Sequence, residues 1–254
     1  MNQLIKTKVA KISTLFILSL GLLFGCSAKS KFKDYYTLGV DPSFFPLSLE
    51  SKQNYVIGFL DDLLLYMIDI PLHFLKVNMS WDNVIEGLKL GKYDAAISPI
   101  PKTPENEKYF DFSDVWLKTG PVLVVSKTSL IKDIKEFKDA YIGCIQFSAE
   151  DLYLQSQMNI LPHYYDSYSQ ALLGLSKGEV DGILIGVIPA VSFISDLYLD
   201  ELKIVGEPIG DGGLRLLVKK GENAKIIEQF NFGIQNAKDS RDYKKMLDKW
   251  QVGF

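Results

Sequence analysis

Cysteine, histidine and arginine are scarce in this 254-residue chain. Its two histidines, His73 and His163, are isolated and lack the spacing of metal ligands, so we predict no metal site and no cofactor. Its two cysteines are Cys26 and Cys144. Because Cys26 ends an N-terminal export segment, only Cys144 remains in the folded part and no intrachain disulfide is available. Cys144 lies within the strand-like stretch YIGCI, where we expect a small core residue.

Long apolar runs are confined to the N-terminus. Lysines at 6, 8 and 11 precede an apolar run over 15–24 that is too short to span a bilayer comfortably. The following Leu23-Phe24-Gly25-Cys26 resembles the lipobox of bacterial lipoproteins, in which the cysteine receives lipid. Phe24 departs from the small or β-branched residue that is usual there. The alternative is an uncleaved N-terminal anchor, and both interpretations predict export.

Basic residues are not in excess. Without residues 1–26 the chain keeps 25 of its 28 basic and all 31 acidic side chains, a net charge of −6. This balance argues against nucleic acid as a partner, because binding to phosphates needs clustered cations. Beyond the N-terminal run there is no apolar stretch of 18 residues, so the body is predicted to be soluble.

The most informative stretch runs from Trp81 to Asp114. Apolar residues at 81, 84, 85 and 88 form one helical stripe, Gly91 follows as the expected C-cap, and a short buried strand then stops at Ser98. The same pattern returns 87 residues later, in YSQALLGLSKGEVDGILI at 168–185. Its apolar stripe, Gly178 and an aspartate all match in register. We therefore predict two α/β lobes of similar build.

Ligands of open α/β sheets bind where strands end in polar loops. We predict such ends after a first strand at 36–40, after the strand that stops at Ser98, and after a strand at 140–145. The last is followed by Ser148, the expected N-cap of a helix. We also predict helices from Gly58 to about residue 70, at 130–137, at 223–237 and at 240–250. Two extended crossings, near 118–120 and 211–214, would make a hinge; the alternative is a single rigid domain.

Several short motifs together resemble the family 3 solute-binding proteins, the receptors of polar-amino-acid ABC importers. The motifs, in order, are Gly58-Phe59, LKLGKYDAAIS at 88–98, Thr103-Pro104-Glu105, FDFSD at 110–114, KGEVDG at 177–182, VGEP at 205–208 and DYKKMLDKW at 242–250. The resemblance covers about residues 36–250. It implies an α/β, two-lobed, periplasmic-binding-protein-like fold of type II, with a ligand cleft between the lobes and a two-strand hinge. We divide the chain into an export segment 1–26, a tether 27–33, lobe 1 at 34–118 plus 214–254, and lobe 2 at 119–213.

The resemblance also implies ligand-binding positions. They are Asp41, Phe44, Trp81, Ser98, Pro99, Pro101, Asn106, Gln146, Ser148, Ala149, Glu150 and Gly186. Two of them lack the family's chemistry. Asn106 stands where an arginine grips the ligand's α-carboxylate, and Gly186 stands where an aspartate takes the α-ammonium. Pro101 and Ala149 each replace a hydroxyl-bearing residue. Arg215 is the one candidate substitute for the missing arginine.

These departures change the expected ligand. Removing one partner of a buried ion pair typically costs about 3–5 kcal/mol, whereas a helix N-terminus contributes about 0.3–1 kcal/mol. We therefore expect a small solute with a flat or apolar body and an amine or cationic group, held by Asp41 and Glu150 between aromatic walls. Core packing of Trp81, turn formation by Asp41 and dipole compensation by Glu150 are the structural alternatives.

The predicted function is non-enzymatic. The chain would be an extracytoplasmic, lipid-anchored, monomeric receptor that closes on its ligand and docks on an ABC permease. One alternative is a sensory or adaptor protein that has kept the fold without transport. Another is an enzyme resembling the dehydratases found on this fold, with Asp41 or Glu150 as general acid; the absent carboxylate clamp argues against it.

Overall fold

The computed structural model describes residues 35–44, 47, 49–67 and 73–253. Within them the chain forms two mixed β-sheets with helices packed around each. The predicted export segment, lipobox with Cys26 and tether lie outside the described residues. No helix in the described ranges is both long and apolar enough to cross a membrane.

The first sheet has the strand order β2-β1-β3-β11-β4, with β5 paired to β11. Its strands are β1 (Tyr36–Val40), β2 (Phe74–Asn78), β3 (Ala95–Ser98), β4 (Phe110–Phe112), β5 (Leu117–Lys118) and β11 (Gly213–Lys219). The helices that follow these strands are α1 (Gln53–Tyr66), α2 (Trp81–Lys89), α6 (Ala224–Lys238) and α7 (Arg241–Trp250). Strands β1, β2 and β3 run parallel, whereas β11 is antiparallel to its neighbours.

The second sheet has the order β10-β6-β9-β7-β8. Its strands are β6 (Pro121–Ser126), β7 (Ala140–Ile145), β8 (Ile160–Tyr165), β9 (Gly182–Gly186) and β10 (Leu202–Val205). Helices α3 (Ala149–Gln155), α4 (Tyr168–Ser176) and α5 (Val187–Phe193) belong to this part of the chain. Strands β7, β8 and β9 run parallel, so their carboxyl ends lie at one edge of the sheet.

Two crossings join the sheets. Strand β5 pairs with the start of β11, and the Thr119 N–H donates to the Gly212 carbonyl at 3.2 Å. The Ile209 N–H donates to the Pro121 carbonyl at 2.8 Å, and the Val187 N–H to the Gly120 carbonyl at 3.1 Å. The crossings therefore lie side by side and are hydrogen-bonded, which agrees with a two-strand hinge. The exact domain boundaries stay a prediction.

The repeated unit is present in both sheets. Asp94 accepts hydrogen bonds from the Thr37 N–H and hydroxyl at 2.9 Å each, and Asp181 accepts one from the Tyr141 N–H at 2.9 Å. Both aspartates thus hold the start of the neighbouring strand, which is a structural role. Gly91 and Gly178 have φ angles of +67° and +75°, the left-handed geometry that ends each helix at no steric cost to glycine.

Two predicted elements differ from the structure. Helix α1 begins at Gln53, five residues before Gly58. Position 58, inside the helix, is a glycine because a Cβ there would overlap the Trp250 ring of α7. The helix predicted at 130–137 is wrong: only Ile134–Glu136 form a 3-10 turn. The Asp133 carboxylate caps that turn by accepting from the Lys135 N–H, and Leu130, the first residue of the predicted helix, is 90 % exposed.

Cys144 is buried in a core cluster of the second sheet, as predicted. Burial raises the pKa of its thiol to about 12, and the charges of Asp151 and Glu150 act in the same direction. A thiol that stays protonated and inaccessible is unreactive. The residue therefore has a packing role.

Candidate functional site

Asp41 directly follows β1 and is 3 % exposed. One carboxylate oxygen, Oδ1, accepts from the Ser43 N–H at 2.8 Å and from the Ser43 hydroxyl at 2.7 Å. The other oxygen, Oδ2, is buried and has no hydrogen-bond partner among the described residues. The turn therefore uses half of the carboxylate, and a buried anionic oxygen remains available for a donor or cation.

Glu150 is in the first turn of α3, which starts after β7, and it is 7 % exposed. The Tyr168 hydroxyl donates to its Oε1 at 3.2 Å. Burial, the Glu150 charge and this hydrogen bond raise the pKa of Tyr168, and the charge of Glu50 adds to the effect.

Gly186 ends β9 and leaves space next to Glu150. A Cβ atom built at Gly186 would lie 4.0 Å from Glu150 Oε1. The Glu150 carboxylate therefore lies beside the space that an acidic side chain at position 186 would enter. In this chain the acidic side chain next to position 186 is Glu150 of α3, because Gly186 at the end of β9 has none.

The predicted carboxylate clamp has no arginine at its expected place. Asn106 begins a 3-10 turn, and its side-chain amide donates to the Pro101 carbonyl at 2.9 Å, which closes the proline-rich loop after β3. Arg215 lies opposite Ser98 in the register of β11 and β3 and is 6 % exposed. Its guanidinium donates to the Asp211 carbonyl at 2.9 Å and lies 3.8 Å from the Asp211 carboxylate. Arg215 is therefore tied to the second crossing.

The remaining predicted positions lie at the same strand ends. Ser98 is fully buried, and its hydroxyl accepts from the Ile100 N–H at 3.1 Å; Pro99 is half-buried and Pro101 exposed. Phe44 is 1 % exposed and belongs to a core cluster that includes residues of both sheets. Trp81 begins α2 as expected, but its side chain lies outside the described part of the structure.

The start of α3 has the expected cap. The Ser148 hydroxyl accepts from the Asp151 N–H at 3.2 Å, and Asp151 accepts in return from the Phe147 N–H at 2.8 Å. Gln146 and Ala149 are exposed. The cap orients α3 so that its buried side, with Glu150, faces Tyr168 and Gly186.

Tyr168 donates a hydrogen bond to Glu150, and the site prediction omitted it. It heads the apolar stripe of α4 in the same way that Trp81 heads α2. Our prediction treated Trp81 as a ligand contact but did not extend that assignment to its counterpart in the repeat. The repeat was therefore the signal that could have found Tyr168.

The described residues contain no cluster of three acidic, histidine or cysteine side chains able to hold a metal ion. Two α/β sheets, paired crossings and polar groups at the carboxyl ends of strands define a type II periplasmic-binding-protein-like protein.

Comparison with known proteins identifies the family. The sequence profile of the bacterial extracellular solute-binding proteins, family 3, matches residues 36–253, and the chain belongs to this family. Its members are solute-binding receptors, so the chain is a receptor and not an enzyme. The resemblance proposed from the motifs is confirmed.

Similar proteins include the arginine-binding periplasmic protein of Mannheimia haemolytica, which is 26 % identical over 92 % of this chain and 98 % of that protein. The ABC transporter arginine-binding protein 1 of Escherichia coli K12 is 26 % identical over 89 % of this chain and 93 % of that protein. The second substrate-binding domain of Lactococcus lactis GlnP, in an open conformation, has a TM-score of 0.67 at 22 % identity, over 86 % of this chain and 95 % of that domain. The last comparison supports the fold.

Proposed function

We propose that this protein is the lipid-anchored substrate-binding component of an ABC importer. Its ligand is a small amine-bearing or cationic solute, because the site lacks the arginine and aspartate that hold a conventional α-amino acid. Two buried carboxylates at strand ends, Asp41 in the first lobe and Glu150 in the second, carry this proposal. A charge buried without a partner is costly, so both carboxylates favour a ligand that brings positive charge.

The free Oδ2 of Asp41 is the observation that points most directly to a cation or donor. Glu150 supplies a negative charge beside Gly186, which supports recognition of an ammonium group at that corner. The similar arginine-binding proteins named above also bind a ligand with a cationic side chain. Asn106 carries no charge and its side-chain amide donates to the Pro101 carbonyl, so it does not replace the arginine of the family's carboxylate clamp.

Two amines, compared with ordinary amino acids, test the proposal. Agmatine has the guanidinium of arginine but lacks its carboxylate, and phenethylamine supplies an amine with a flat apolar body. We expect these amines to raise the melting temperature more than arginine or glutamine does at equal concentration. A ligand at about 100 times its Kd stabilises by about 2.7 kcal/mol, a shift that thermal denaturation resolves. If arginine or glutamine gives the largest shift, our interpretation of Asn106 and Gly186 is wrong.

Glu150→Gln tests the predicted cation contact. Loss of one charge-assisted hydrogen bond, about 1.5–3 kcal/mol, predicts a Kd about 10- to 100-fold higher for the best amine in calorimetric titration. Glu228→Gln, at an exposed position on α6, is the matched control and should leave the Kd unchanged. Equal affinities of Glu150→Gln and the parent protein would contradict the assigned contact.

The proposed lipid anchor rests on the Leu23–Cys26 sequence. Replacing Cys26 with serine removes the thiol that would receive lipid. In a bacterial host we expect metabolic labelling with a radioactive fatty acid to mark the parent chain and not Cys26→Ser, while Cys144→Ser keeps the label. Label on Cys26→Ser would exclude a lipidated Cys26.

A further inference from the structure

We propose that a second ligand site lies beside the hinge, in a cavity of about 410 Å³ that is separate from the residues assigned to the cleft. The cavity takes its walls from residues 115–118 at the first crossing, residues 207–208 ahead of the second crossing, the start of α5, the end of α6, and α7 with the residues after it. Its volume falls within the range of small-molecule sites, about 300–1,000 Å³. The ligand we infer is a small carboxylate with an apolar body.

Apolar side chains form much of the wall. Val115, Leu117, Val187, Leu247 and Val252 contribute to it. The polar groups are few and mostly cationic. Lys238 and Lys118 lie at the cavity, and its one acidic residue, Glu207, is already paired with Lys118 at 3.0 Å. An apolar molecule with a single anionic group complements this surface.

Trp116 supplies an aromatic ring to the wall. It is fully buried, lies in the cavity wall and stacks on Phe59, with ring centroids 6.0 Å apart. Its indole N–H is buried and has no hydrogen-bond partner among the described residues. Because the indole N–H is closed to a molecule the size of water, Trp116 would sense a bound ligand through the surroundings of its ring and not by donating to it. The Trp116 carbonyl is already satisfied by the Tyr243 hydroxyl at 2.8 Å.

Lys238 supplies the charge. Its ammonium donates to the Val115 carbonyl at 2.8 Å, which places it over the first crossing. This bond uses one of three N–H donors, so others are left for a carboxylate. Desolvation lowers the pKa of Lys238, partly opposed by the charge of Asp114. A carboxylate bound here would compensate for the lost hydration by forming an ion pair with the ammonium.

Calorimetry with 3-phenylpropionate as probe tests the site on the full chain. We expect saturable binding with one site per chain, at least 10-fold weaker in Lys238→Met and unchanged in Lys244→Met, an exposed control on α7. The neutral isostere 3-phenylpropanamide should also bind at least 10-fold more weakly. Undiminished binding to Lys238→Met, or no binding to the parent chain, would overturn the proposal.

A second measurement locates the probe. The indole N–H resonance of Trp116, assigned through Trp116→Phe, should shift on titration with 3-phenylpropionate. If that variant does not fold, Trp81→Phe and Trp250→Phe assign the resonance by elimination. Glu150→Gln should leave probe binding unchanged. If Glu150→Gln abolishes probe binding and the Trp116 resonance does not shift, the probe binds in the cleft. That result would refute the second site and leave the proposed cleft function unaffected.

Discussion

Asp62 illustrates how a single residue holds helices α1 and α7 together. Its Oδ2 accepts from the Lys249 ammonium at 2.6 Å and from the Trp250 indole N–H at 2.7 Å. The hydrogen bonds from Lys249 and Trp250 lower the pKa of Asp62 below its ordinary value of 3.8, although partial burial opposes them. Asp62 therefore favours the folded state when it is ionised.

A pH series on Asp62→Asn tests this contribution. Because the folded-state pKa is below the unfolded value, the stabilisation is fully present above pH 3.8 and is lost as the pH falls through the folded pKa. We expect Asp62→Asn to lower the free energy of unfolding by about 1 kcal/mol at pH 7, with a smaller difference toward pH 2.5 in urea denaturation. Asp242→Asn removes an exposed ion pair and should cost less. A constant difference across the series would contradict the assignment.

Helix packing accounts for a glycine that sequence patterns misplace. Position 58, inside α1, requires a glycine because the Trp250 ring of α7 occupies the space where a side chain would begin. Gly91, at the end of α2, has open space around it and instead needs a φ of +67°. The two glycines therefore resist substitution for different reasons, one for packing and one for backbone geometry.

Alanine at these two positions separates the causes. Gly58→Ala must displace an aromatic ring, and we expect a loss of about 2–3 kcal/mol in the free energy of unfolding, comparable with other overpacked cores. Gly91→Ala pays only for its left-handed conformation, about 1 kcal/mol. Chemical denaturation measures both. A larger loss for Gly91→Ala than for Gly58→Ala would contradict the packing described for α1 and α7.

At the scale of the whole molecule, we predict that the two lobes move as separate bodies about the paired crossings. Gly120 and Gly212 lie on opposite crossings, but their surroundings differ. A Cβ at Gly120 would lie 2.5 Å from the Ile209 carbonyl oxygen, whereas a Cβ at Gly212 would have its nearest neighbour at 3.7 Å. Close backbone approach at Gly120 therefore sets the geometry of the hinge.

Small-angle scattering can test closure. We expect the radius of gyration of the parent chain to decrease when the strongest ligand of the thermal screen saturates the cleft. Gly120→Val should reduce this change because the two crossings must separate, and Gly212→Ala should keep it. A radius of gyration that is the same with and without saturating ligand would contradict a closing receptor.

The sequence by itself determined the two-lobe plan, the repeated helix–glycine–strand unit, the cap at Ser148 and the family, because these depend on local patterns of apolar residues, glycines and caps. Tertiary structure decided the rest. Only packing of α7 on α1 explains Gly58, and only the approach of α3 to the end of β9 brings Glu150 beside Gly186. The pairing of Tyr168 with Glu150 likewise joins residues 18 positions apart. Such contacts depend on how elements meet in space, and local sequence patterns do not encode those distances.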